Sequence, residues 1–149
     1  MKFELFDKET TLQLEPEKLL FPNSLSDQSR NIISTNINIK AGGFQGSIKA
    51  EISTIDFELF KQGLNRINND LSGYTGFKCD EGYLSITIKG DGIGHFEAEC
   101  SAFDKPGYNG NELNFRINFD QTQINYLVEQ LDVITKKYPI TGDIRIMNE

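Results

Sequence analysis

Polar and apolar residues alternate along much of this chain, and the two stretches that break the alternation carry a helical period instead. Leu113, Phe115, Ile117 and Phe119 are apolar while Asn114, Arg116 and Asn118 between them are polar. That period of two predicts a strand with one buried face. Asp120 follows as a helix N-cap, and Gln123 three residues on completes a capping-box pattern. Ile124, Leu127, Val128, Leu131 and Ile134 then repeat at helical spacing, and Pro139 ends the helix.

The same reading extends upstream. Lys2 to Phe6 and Thr11 to Leu14 form two short strands around Asp7-Lys8-Glu9, and Glu15 to Asn31, with Pro16 and Pro22, reads as irregular. Ile33, Thr35, Ile37 and Ile39 alternate with polar residues, as do Phe44, Ile48, Ala50 and Ile52, and Gly42-Gly43 between them predicts an antiparallel hairpin. Ser53 or Thr54 caps a helix whose apolar stripe is Phe57, Phe60, Leu64, Ile67 and Leu71, with Asp56 in the first turn and Gly73 as the left-handed terminator. A meander follows: Thr75 to Cys79, Leu84 to Ile88 and Phe96 to Ala102, with turns at Asp80-Glu81-Gly82 and Gly90-Asp91-Gly92. The loop Asp104 to Asn111 leads into the final strand and helix, and Ile140, Ile144 and Ile146 suggest a last extended piece. No repeat of solenoid length is present.

Each helix has one apolar stripe, and the meander's outward phase is polar throughout. The predicted architecture is therefore α+β: an antiparallel sheet of about six strands with two helices packed on one face and the other face wet. The 149 residues suffice for a single domain, 1–149, with a real core.

Composition narrows the chemistry. The formal net charge is −7, which disfavours nucleic acid and anionic membranes as partners and suits a basic protein surface. The first ten residues, MKFELFDKET, contain no apolar leader segment, so the expected location is cytoplasmic. Cys79 and Cys100 fall on the apolar phase of their strands and read as reduced core thiols. Two cysteines and one histidine without close spacing make no zinc site, and no cofactor motif is present. Gly90 to Gly94, GDGIG, superficially suggests a phosphate loop, but the residues after it alternate as a strand, so it reads as a hairpin turn. His95, Glu97 and Glu99 project from one side of one strand. They could do acid–base work, but on a flat, solvated face they fit recognition of a cationic surface better.

The order of elements resembles the WapI-type immunity proteins. The residues that carry the resemblance are GGFQG (Gly42 to Gly46), the helix from Asp56-Phe57 to Leu71-Ser72-Gly73, EGYLSITIKGDGIGHFEAE (Glu81 to Glu99), and LNFRINFDQT (Leu113 to Thr122) with its helix to Tyr138-Pro139. The resemblance implies a non-enzymatic bacterial protein that neutralises a cognate polymorphic toxin. Charge then points to Asp91, Glu97, Glu99, Asp104 and Glu112 as partner-binding residues. Two other readings stand beside it: a small enzyme built around His95 and carboxylates, and a homo-oligomeric scaffold that uses its wet sheet face or an edge strand.

Overall fold

The structure is a computed structural model that describes residues 1–107 and 109–144. The α+β class stands, and the strands number eight, divided into two antiparallel sheets of four. The first sheet contains β1 (Phe3–Phe6), β2 (Thr10–Leu19), β3 (Ile32–Ala41) and β4 (Phe44–Ser53), in that order. Helix α1 (Thr54–Asp70) follows. The second sheet is β5 (Ser72–Lys78), β6 (Leu84–Asp91), β7 (His95–Phe103) and β8 (Glu112–Asp120), and α2 (Gln121–Lys137) follows it. The chain thus runs twice through four antiparallel strands and a helix.

The strand count exceeds six because β1 and β2 belong with the hairpin that follows them, and these four close off as a sheet of their own. β2 continues through Pro16 to Leu19, where an irregular segment was expected. β1 pairs only as far as Leu14, so beyond that point β2 lies at a sheet edge, where the missing N–H of Pro16 leaves no ladder bond unmade. A bulge between Pro16 and Lys18 restores the register against β3.

One apolar cluster lies between the sheets and helices. Phe60 of α1 stands between Phe3 of the first sheet and Phe77 of the second, with ring centroids 5.4 and 5.5 Å away. Phe60, Leu64, Leu127 and Leu131 are buried as their spacing predicts. The helices exchange sheets: α1, which follows the first sheet, packs on β5 of the second, while α2, which follows the second, packs on β1 of the first. Gly63 makes the α1–β5 approach possible, since a β-carbon there would collide with Thr75 Oγ1.

Both helix N-caps form where the sequence places them, and one C-terminus differs. Ser53 caps α1, accepting from the Ile55 N–H at 3.2 Å, and Asp120 caps α2 in a complete capping box with Gln123. The left-handed residue that ends α1 is Leu71, with φ of 60°, ahead of the expected Gly73. β5 begins at Ser72, so the chain must reverse at residue 71 itself. The Leu71 carbonyl then accepts from the Gly92 N–H at 2.8 Å, which fixes the reversal on the β6–β7 turn. Of the expected C-terminal extended piece, residues 140–144 join no strand, and Ile146 lies outside the described residues.

Candidate partner-binding face

The outward faces of both sheets are polar because each strand alternates and only one phase meets the helices. On the second sheet the register aligns the outward side chains in cross-strand rows. One row is Tyr74, Lys89, Glu97 and Asn118; the next is Gly76, Thr87, Glu99 and Arg116; a third is Lys78, Ser85, Ser101 and Asn114. His95 stands opposite Asp120 at one end of the sheet, and Glu112 stands opposite Phe103 at the other.

The five acidic candidates share this sheet but not one spot. β7 has nine residues, so its ends lie roughly 25–30 Å apart. Asp91 is at the His95 end and Asp104 at the Glu112 end. Both carboxylates also shape their own loops. Asp91 accepts from the backbone N–H groups of Ile93 (2.9 Å) and His95 (3.1 Å), and its second oxygen lies 3.0 Å from His95 Nδ1. The Ile93 N–H above all, and then the His95 contacts, hold its pKa below the usual carboxylate value. Asp104 accepts from the Asn111 side chain at 2.9 Å and from its backbone N–H at 2.7 Å, and the same bonds depress its pKa.

Glu97 and Glu99 sit mid-sheet beside cations. Lys89 is the register partner of Glu97, and Arg116 Nη2 lies 3.8 Å from Glu99 Oε1. At the exposure of the Glu99–Arg116 pair an ion pair contributes little, so Glu99 can exchange its partner for one on another protein, while Lys89 Nζ lies over the Tyr74 ring, 5.4 Å from its centroid. Glu112 is exposed and lies at the Asp104 end. That end also holds the β5–β6 turn, tied to β7 by the bond from Phe103 N–H to the Tyr83 carbonyl, 2.9 Å. Asp80 and Glu81 sit in this turn. Half-buried Asp56, whose pKa is raised to about 6 by burial and then by Asp80, lies behind it. The sequence marks Asp80 and Glu81 only as a turn, and the sheet register is what brings that turn and the Asp104 loop to one end.

His95 is 72% exposed along its side chain, and its carboxylate neighbour Asp91 is on the surface too, so no water-excluded site forms around it. Among the described residues no cluster of three or more His, Cys, Asp or Glu is placed to hold a metal. Cys79 and Cys100 are buried free thiols, and burial pushes Cys100 up to about 12, far from a reactive thiolate. No described helix is long and apolar enough to cross a membrane. The first sheet's outward face has a broad open depression of about 580 Å³, lined by Thr11, Gln13, Asn38, Lys40, Gln45 and Ser47 among others. Its amides and hydroxyls come from the outward phase of three strands, β2, β3 and β4.

The sequence profile of the immunity protein WapI-like family matches residues 4–139, which include both sheets and both helices. The chain belongs to the WapI-like family. No curated protein matches it. Among solved structures it is similar to MRP1/MRP2 of Trypanosoma bruciei, with a TM-score of 0.52 and 8% identity over 93% of this chain and 85% of that one. It is also similar to WHY1 from Arabidopsis thaliana, with a TM-score of 0.48 and 12% identity over 94% of this chain and 85% of that one. At 8% identity the likeness to MRP1/MRP2 is one of fold alone. The WapI-like assignment therefore rests on sequence, and the two-sheet architecture is the form that the family's pattern takes here.

Proposed function

We propose that this protein is a non-enzymatic immunity protein, a single cytoplasmic domain that binds and neutralises a cognate bacterial polymorphic toxin. Membership of the WapI-like family carries the reading. Its physical form is occlusion by the outward face of the second sheet and the loops at its ends. Exposed Glu99 and Glu112 and half-buried Glu97 supply carboxylates, while Asp91 and Asp104 hold the loops at either end. A toxin acting on anionic substrates presents a basic cleft. A chain of net charge −7 is steered toward it at a rate that falls with salt.

The test is binding kinetics against the toxin encoded beside this protein. The association rate should drop as ionic strength rises. Reversal of Glu97, Glu99 and Glu112 to Lys should weaken the complex, chiefly through association. An association rate indifferent to salt, with affinity unchanged by the triple reversal, would overturn the electrostatic face. A chain that neither binds nor neutralises the neighbouring toxin would overturn the immunity reading itself.

A further inference from the structure

Four strands form the sheet edges, and on three of them a side chain of the same chain bonds at least one outward backbone group. On β1, the Glu4 N–H donates to Gln130 Oε1 at 2.9 Å and the Phe6 carbonyl accepts from Gln123 Nε2 at 3.2 Å. On β8, the Asn118 N–H donates to Asp7 Oδ2 at 3.1 Å. On β5, the Tyr74 carbonyl accepts from Arg66 Nη2 at 2.9 Å. β4 is the exception. Ala41 and Phe44 flank a two-residue loop and so form a hydrogen-bonded pair. Alternation then turns the N–H and C=O of Gln45, Ser47, Lys49 and Glu51 away from β3. Among the described residues these groups have no protein partner. Only at the strand's end does the Ser53 N–H reach the Asp56 carboxylate.

We propose that the β4 edge is a pairing surface for a second copy of this chain, joined antiparallel about a two-fold axis at Ala50. Charge selects that register. With the axis at Ala50, Lys49 of each copy stands opposite Glu51 of the other, both on outward-bonding positions, so backbone bonds and opposite charges coincide. Moving the axis to Lys49 sets Lys49 against its own copy, and moving it to Glu51 sets two carboxylates together, both unfavourable when directly opposite. On the inner face the same register places half-buried Ile48 against Ile52 of the second copy. Two four-stranded sheets become one of eight, and an edge that would otherwise template indiscriminate pairing is closed. The polar face of the second sheet takes no part, so pairing leaves the proposed toxin-binding face open.

Lys49 also lies 3.4 Å from Glu17 of its own chain, which supplies a control. Sedimentation velocity across a hundredfold range of concentration should show a reversible monomer–dimer equilibrium. Lys49→Glu and Glu51→Lys should each weaken the dimer at least tenfold, and the double reversal should restore it, because the opposite charges reappear in swapped places. Glu17→Gln should leave it unchanged. In the wild-type dimer the Lys49 and Glu51 amides should gain protection from hydrogen exchange as concentration rises. A monomer at every concentration, or a dimer indifferent to both single reversals, would overturn the proposal. Circular dichroism of each variant should match the parent, which separates a lost dimer from a lost fold.

Discussion

The carboxylate of Asp7 accepts the backbone N–H of Asn118 at 3.1 Å, so a turn in the first sheet closes the edge of the second. The other oxygen of Asp7 accepts from the N–H groups of Glu9 and Thr10, both at 3.0 Å. One side chain therefore shapes its own turn and joins two sheets 111 residues apart in sequence. Asp7→Ala should destabilise the protein by about 1–3 kcal/mol. The Asn118 amide should lose protection in native-state hydrogen exchange. An unchanged Asn118 amide would show that the tie contributes nothing.

Asp120 accepts from Thr122 N–H at 3.0 Å and from the Thr122 hydroxyl, while Gln123 reaches back to the Asp120 N–H at 3.3 Å. Asp120→Ala should cost about 1 kcal/mol in denaturant melts, and Asp120→Asn should be nearly neutral because Asn caps about as well. Equal damage from both variants would mean that the charge itself is needed.

Gly63 lies mid-helix, where Ala is ordinarily preferred by about 1 kcal/mol. Here Gly63→Ala should destabilise, since the added methyl meets the Thr75 hydroxyl. Removing that hydroxyl with Thr75→Ala should recover part of the loss. A double-mutant cycle that shows no coupling would contradict the close contact of α1 with β5.

Asp56 gives the protein an unusual pH response. Burial and then Asp80 raise its pKa to about 6, so the folded state holds a proton that the unfolded chain releases near the ordinary carboxylate value of 3.8. Stability from this group is present below about pH 4 and is lost as pH rises through about 6, by about 1–2 kcal/mol after allowance for its partial exposure. Asp91, Asp104, Asp120 and Asp132 have lowered values, and their contribution is lost in the opposite direction, as pH falls below about 4. Asp56→Asn should flatten the decline between pH 4 and 6 and leave the acid limb intact. Thermal melts that fall as steeply over that interval in the variant as in the parent would exclude this role.

Much of the fold is legible in the alternation of the strands and the single stripes of the helices. Phe60, Leu64, Leu127 and Leu131 are all buried, and the Asp120–Gln123 box forms as its spacing implies. What stayed hidden depends on distant parts of the chain. Pro16 looks like a strand breaker until β1 is seen to stop short of it. Gly63 looks like a defect in a helix until Thr75 faces it. Leu71 takes a left-handed conformation because the Gly92 N–H is waiting for its carbonyl. The division into two sheets follows from pairing between strands, which periodicity within a strand does not encode. At the candidate face, phase correctly set Glu97 and Glu99 outward, but the cations opposite them and the loop bonds of Asp91 and Asp104 come only from register and turn geometry.

The exchange of helices between the two halves has a kinetic consequence. A cut between Leu71 and Ser72 would leave an N-terminal piece whose helix has lost β5 and a C-terminal piece whose helix has lost β1. Neither piece could seal its apolar layer, yet mixed together they hold every surface the other lacks. The intact chain faces the same requirement in time: Phe60 cannot be enclosed by Phe3 and Phe77 until both halves have been made. Folding is thus governed by closures of long sequence separation, and it should be slow for a chain of this length and nearly all-or-none.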